Sequence, residues 1–223
     1  MTRLKDNQTE QFNGQKLNLD ETARLEAMTF YEREIRNMGY KHIAGIDEAG
    51  RGPLAGPVVS AAVILPENYR LERLNDSKQL SAKLRDILYE RLIREVTAWG
   101  VGVSGPQEID EINILNATIK SMERAVSALK PQPDYLMIDA LTLNNVQIAQ
   151  KAIIKGDALS LSIAAASIIA KVTRDRMMSI YDNLYPDYGF AKHKGYGTAE
   201  HMSNIGKYGL CPIHRATFCH MVG

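Results

Sequence analysis

Residues 43–57 read IAGIDEAGRGPLAGP. An apolar run climbs to two adjacent carboxylates, Asp47 and Glu48, then breaks into glycines and prolines around a single arginine, Arg51. The run before the acids predicts a buried strand over His42–Ile46. The nearly continuous apolar run Val58–Leu65 predicts a second strand, buried on both faces. Two acids at the end of a buried strand are an unfavourable placement unless something compensates their charge.

Outward from this pair, strands and helices alternate. Upstream, residues 1–18 are polar and patternless and read as a mobile start. Asp20 then caps a helix whose apolar positions Leu25, Met28, Tyr31 and Ile35 share one face, with Gly39 as its stop. Downstream, Ser81 caps a helix, WGVGVSG (99–105) forms a third strand, and Pro106 opens a helix with Ile109, Ile112, Ile119, Met122, Val126 and Leu129 on its face. DYLMIDA (134–140) and KAIIKGD (151–157) are short strands four and five, and a long helix covers about 160–184. YGFAKHKGYGT (188–198) reads as a loop too polar and glycine-rich for regular structure, with Thr198 capping a terminal helix. The expected fold is α/β, with five strands and flanking helices. Residues 1–40 form an N-terminal extension, and residues 41–223 form one domain with a C-terminal helical section from about 185.

Composition narrows the setting. At 223 residues, with 45% hydrophobic and 24% charged residues, the chain can bury one good core. No apolar run reaches the ~18 residues of a membrane helix, and the start MTRLKDNQTE is no signal peptide. Two cysteines without such a signal point to a reducing cytoplasm. The net charge of +1 names no partner, but residues 150–223 hold nine Lys/Arg against five Asp/Glu, while 41–149 hold twelve against fourteen. A mildly basic C-terminal third suits an anion, as it suits a solvated surface.

Three strands end in acids: Asp47-Glu48, Asp139, and, through Lys155-Gly156, Asp157. An acid after a strand is usually a turn or cap residue, but α/β sheets build sites at their strand ends. If these strands are parallel neighbours, four carboxylates meet, and they cannot all stay ionised without cations. All-oxygen ligands select hard divalent ions such as Mg²⁺ or Mn²⁺. Two such ions ~3.5–4 Å apart clamp a phosphodiester for cleavage.

AGIDEAGRGPLAGPVVSAAVIL, NDSKQLS, EIDEINI, MIDA, KGDA…SIAAASIIAKVTRDRMM and HKGYGT, in this order over about 41–218, resemble bacterial ribonuclease HII. The resemblance implies a ribonuclease H-like fold, in which the strands form a mixed five-stranded sheet flanked by helices, and a monomeric enzyme of DNA replication and repair. Its substrates would be RNA–DNA hybrids and DNA duplexes containing ribonucleotides, and its products would carry 5′-phosphate and 3′-hydroxyl ends. By position it implies metal binding by Asp47, Glu48, Asp139 and Asp157, reading of the ribose 2′-hydroxyl by Gly50, Arg51 and Gly52, junction stacking by Tyr196, and a phosphate contact from Lys78.

A protein that tells RNA from DNA must contact the 2′-hydroxyl. Backbone groups reach it where no Cβ intervenes, which is the expected use of Gly50 and Gly52, while Arg51 offers donors to phosphate. Lys192, His193 and Lys194 beside Tyr196 suit a nucleic-acid surface. Lys155, Lys171 and Arg174 hold phosphates or balance the acids. DEAG echoes helicase-type ATPases, but the chain has no GxxxxGK[ST] phosphate loop. Cys211, His214, Cys219 and His220 suggest zinc, although adjacent ligands at 219 and 220 would struggle to share an ion. A non-catalytic hybrid-binding module is the competing class, and the complete acid set argues against it.

Overall fold

A computed structural model describes residues 19–219. Helices α1 (Leu19–Ala27) and α2 (Phe30–Asn37) precede β1 (Ile43–Ala49) and β2 (Val58–Ile64). Helix α3 (Ala82–Glu95), β3 (Ala98–Ser104), α4 (Pro106–Ser127), β4 (Tyr135–Asp139) and β5 (Ala149–Ile153) follow. The chain continues through α5 (Gly156–Leu159), α6 (Leu161–Leu184), α7 (Phe190–His193) and α8 (Ala199–Tyr208). The sheet order is β3-β2-β1-β4-β5. Strands β1, β2 and β3 pair antiparallel, and β4 and β5 add in parallel, so the sheet is mixed as expected.

Strand alternation sends Ala61 and Val63 to one face, against Leu88, Leu92, Ala165 and Ile169, and Ala44, Ile46, Ala62 and Ile64 to the other, against Met122, Ala125 and Val126. Helices α3 and α6 thus cover one face and α4 the other. Ile46 is fully buried, and Ile46→Ala would cost about 2–5 kcal/mol. Gly45 explains why α6 packs so closely: a Cβ there would lie 2.2 Å from the Ser162 carbonyl carbon. The small apolar start of α6 therefore lies directly on β1, which brings Ser167 beside Asp47.

The predicted caps hold at Ser81, whose hydroxyl accepts from Leu84 N, and at Thr198, which accepts from His201 N. Pro106 opens α4, which breaks once at Asn113 (φ 65°) and restarts with the Asn113 amide oxygen accepting from Asn116 N. The single helix expected from Asp20 to Gly39 is instead two. Asp20 lies inside the first turn of α1, and the Met28 carbonyl accepts from Leu161 N rather than continuing the helix. The predicted loop 188–198 contains α7, one helical turn that buries Phe190. Leu25 and Met28 belong to the α6 side of the core, and Glu32 accepts from Ser160 Oγ, Ser162 N and Ser162 Oγ at the start of α6. Residues 1–18, expected to be mobile, and His220 lie outside the described residues.

Candidate active site

Asp47 and Glu48 belong to β1 itself, which runs to Ala49, three residues beyond the predicted strand end. The parallel register Ile46↔Ile138 puts Asp47 and Asp139 on the next rung, at the same edge of the sheet. Asp139 ends β4, and its Oδ1 accepts from Gly156 N at 2.7 Å, which ties it to the helical turn α5 that carries Asp157. Asp157 is not on β5, as the position of KAIIKGD suggested, but two residues into α5. Strand ends one and four and this turn after strand five form one acidic edge.

Electrostatics bind the four into a unit. Burial raises the Asp47 carboxyl well above the usual carboxylate range, and the Glu48 and Asp139 charges add to it. Burial also raises Glu48, with Asp139 adding and Arg51 opposing from 3.4 Å. Asp157 is raised by burial, then by Asp76 and Asp139, against Lys78 at 3.5 Å. Asp139 is thus the common neighbour of the other three acids. Glu48 Oε2 is buried with no hydrogen-bond partner. Among the described residues, no three of Asp, Glu, His and Cys stand together closely enough to hold a metal ion as they lie. The fit to a divalent cation rests on the oxygen-only donor set, the orphaned Glu48 oxygen and the raised Asp47, Glu48 and Asp157 carboxyls, whose burdens a hard cation would relieve.

Lys78 stands in the 3₁₀ turn Ser77–Gln79, capped by the Asp76 carboxylate. Burial works against the Lys78 charge, but Asp157, Asp76 and Asp47 more than offset it. Ser77 Oγ meets Ser167 Oγ at 2.8 Å, fastening this turn to α6. Asp76 is therefore a fifth acid near the site; the NDSKQLS motif contained it, but it follows no strand.

The glycine loop departs from its expected use. Gly50 is buried at φ +96°, and a Cβ there would meet Arg174 Nε at 2.0 Å and Cδ at 2.4 Å. The missing side chain at 50 makes room for a buried arginine, not for substrate. Gly52 is exposed, and the nearest atom to its missing Cβ is Tyr196 Cε1 at 3.9 Å, so loop and tyrosine share one outer surface. Tyr196 is 46% exposed and free to meet a ligand.

Several cations turn inward instead. Arg174, expected at a phosphate, is buried and donates to Pro57 O, Lys194 O and Ala55 O at 2.9–3.1 Å. His193, expected on the surface, is buried; Gly195 N donates to its Nδ1, leaving Nε2–H to donate to Tyr188 O. The Lys194 ammonium donates to Asp175 O and Ser179 Oγ on α6. Lys171 pairs with Asp175 at 2.8 Å. Lys192 does face solvent, paired with Glu200, and Lys155 is exposed at φ 57°.

Two buried groups, a histidine pair and Arg215, stand beside this surface. The His201 and His214 rings meet Nε2 to Nε2 at 3.0 Å, with His201 Nδ1–H donating to Tyr196 O and His214 Nδ1 accepting from Cys211 N. Burial and the neighbouring His201 push His214 down to about 4. Arg215 is wholly buried against the glycine loop. Of the residues considered for zinc, His214 is taken up by His201 and Cys211 N, and the Cys219 thiol faces Leu54 O at 3.8 Å. A cavity of about 300 Å³ lies away from the acids, between α2 and the turn after β2, beside Glu32, Arg36 and Tyr69.

Residues 44–221 match the family model of ribonuclease HII. The ribonuclease HII of Acetivibrio thermocellus is 56% identical over 94% of this chain and 82% of its own length. That of Ruminiclostridium cellulolyticum is 54% identical over 89% and 78%. The crystal structure of the ribonuclease H2 from Pyrococcus horikoshii OT3 superposes with a TM-score of 0.67 at 30% identity, covering 82% of this chain and 97% of that one. The acidic edge, the loop that follows it and these similarities together place the chain in the ribonuclease HII family, as a ribonuclease H enzyme.

Proposed function

We propose that this enzyme cleaves the RNA strand of RNA–DNA hybrids and nicks duplex DNA at embedded ribonucleotides, leaving 5′-phosphate and 3′-hydroxyl ends. Asp47, Glu48, Asp139 and Asp157 would hold Mg²⁺ or Mn²⁺. One observation carries the reading: Asp47 and Glu48 of the acidic edge run straight into the exposed peptide at Gly52, so metal ligation and ribose contact would share one short stretch of chain. Bound divalent ions supply charge stabilisation at the phosphoryl oxygens and a more acidic water. The protein's own part is to hold and orient. Because burial and neighbouring charge raise the Asp47, Glu48 and Asp157 carboxyls, cation binding, which takes the carboxylate form, should strengthen as pH rises.

Around the acids, Lys78, Arg51, Lys155 and Lys192 present cations to the nucleic-acid backbone, and the Tyr196 ring offers a stacking surface beside Gly52. Arg174, His193 and Lys194 turn inward and present no cation to this surface. The expected setting is a cytoplasmic monomer acting in replication and repair. Incubating a duplex carrying one ribonucleotide with Mg²⁺, Mn²⁺ or EDTA tests the reading. A metal-dependent nick at the ribonucleotide is expected; binding without cleavage under either metal would make the protein a hybrid-binding module.

A further inference from the structure

Arg215 is 165 residues from Gly50 in sequence, yet its Nη2 donates to Gly50 O at 2.6 Å. Its Nη1 donates to Arg51 O at 2.8 Å and its Nε to Gly56 O at 2.9 Å, and its own backbone N–H donates to Leu54 O. The guanidinium is fully buried, so no part of it reaches solvent or substrate. A trans peptide unit is planar, with its N–H pointing opposite to its C=O. The peptides 50–51 and 51–52 are trans, and both carbonyls point inward to Arg215. Their N–H groups, on Arg51 and Gly52, must therefore point outward, and neither meets an acceptor among the described residues. Two adjacent outward N–H groups form a small concavity suited to an oxygen. It opens beside the Tyr196 ring.

We infer that Arg215 is a specificity-determining positioning residue: it draws the Gly50 and Arg51 carbonyls inward and so fixes two backbone donors toward the ribose hydroxyl, without touching the substrate. This rests on reading loop 50–52 as the ribose contact. The geometry calls for arginine, because a planar fork reaches several carbonyls at once where an ammonium is a point charge. Arg174 is a built-in control. It is equally buried and holds three carbonyls, but those of Ala55, Pro57 and Lys194, none of them in the reading peptides.

The test compares Arg215→Lys, Arg174→Lys and Gly52→Ala. For each variant kcat/KM is measured on a duplex with one ribonucleotide, together with Kd for the all-DNA duplex and the melting temperature. Arg215→Lys should lose about thirty- to a hundredfold in kcat/KM, since a site built to bond a hydroxyl depends strongly on its donors. Its Kd for all-DNA duplex should change by less than about threefold, because backbone phosphate contacts carry that binding. Arg174→Lys should lower the melting temperature comparably but lose much less kcat/KM. Equal losses in the two arginine variants, tracking their melting, would make Arg215 a structural residue only. A normal Gly52→Ala would remove the ribose reading of the loop itself, whereas an impaired Gly52→Ala beside a normal Arg215→Lys would overturn this inference alone. Should Arg215→Lys fail to fold, amide exchange in the wild type decides. The Arg51 and Gly52 amides should exchange freely in the unbound protein and be protected by the ribonucleotide duplex but not by all-DNA; protection in the unbound protein would overturn the proposal.

Discussion

At the sheet edge, burial and the neighbouring Asp139 raise the Asp47, Glu48 and Asp157 carboxyls, and Glu48 Oε2 has no partner. In the C-terminal section, His193, His201, His214 and Arg215 are buried with their nitrogens engaged by carbonyls, amide N–H groups or each other. Both regions put polar side chains inside the protein, and the second contains more of them. The difference is satisfaction. A buried polar group that lacks a partner is held for something that arrives later, while one whose partners are already present is part of the framework.

The largest effect should come from breaking the unsatisfied set. Asp47→Asn or Asp139→Asn should lower kcat by about a thousandfold or more, equivalent to ~4 kcal/mol of barrier. Metal-free melting should not fall, because one like charge has been removed. A folded variant that keeps more than about a tenth of wild-type kcat would erase the contrast between the regions. Asp157→Asn, on its short adjustable turn, should be milder, and raised Mn²⁺ should restore part of its activity by mass action.

Tyr196→Ala comes next, with a loss of about ten- to a hundredfold on a single embedded ribonucleotide, the scale of one lost stacking contact. Tyr196→Phe should keep most activity, and a continuous hybrid should suffer less from the alanine change. Equal losses on both substrates would move Tyr196 from the reading surface into the framework.

Acid should separate the regions by sign. The native Asp47 carboxyl holds its proton at pH values where an unfolded carboxyl, with pKa about 4, has lost it, so this group adds stability as pH falls from neutral toward that value. His214, near 4 when folded and about 6.5 unfolded, refuses a proton that the unfolded chain accepts, so stability is lost over the same descent. Metal-free Asp47→Asn should therefore melt more steeply downward between pH 6.5 and about 4 than the wild type, and His214→Gln less steeply. Identical slopes in all three proteins would remove both assignments.

The smallest effect belongs to Lys78, whose side chain is 78% exposed beside Asp157. Lys78→Ala should weaken ribonucleotide-containing and all-DNA duplexes alike, by a few fold. It should also lower the slope of log K against log salt by about one. A loss confined to the ribonucleotide duplex would add Lys78 to the readers.

Most of the fold was legible because apolar runs and caps act locally. Val58–Ile64 declares a buried strand, and Ser81, Pro106 and Thr198 mark helix starts with chemistry that needs no distant partner. The acids were legible for the opposite reason: a charge that ends a buried strand contradicts its surroundings. Where reading failed, the deciding partner was far away in sequence. Nothing near Met28 announces that Leu161 N will take its carbonyl, and nothing near Gly50 shows that Arg174 fills the space beside it. An arginine or histidine looks the same in sequence whether water or a carbonyl awaits it, so His193 and Arg174 passed for surface and Arg215 for nothing at all.

The distance from Gly50 to Arg215 also sets a timetable. A ribosome delivers the acids early: Asp47 and Glu48 first, Asp139 and Asp157 well before the end. The hairpin β1–β2 can pair as soon as it emerges, but the Gly50 and Arg51 carbonyls in the turn between its strands have no clasp until Arg215 appears, 165 residues after Gly50. A nascent chain, or one cut short before residue 215, thus owns every group proposed to hold the metals and lacks the one proposed to orient the loop 50–52 peptides. On the role proposed for Arg215, substrate choice is the part of the site completed last.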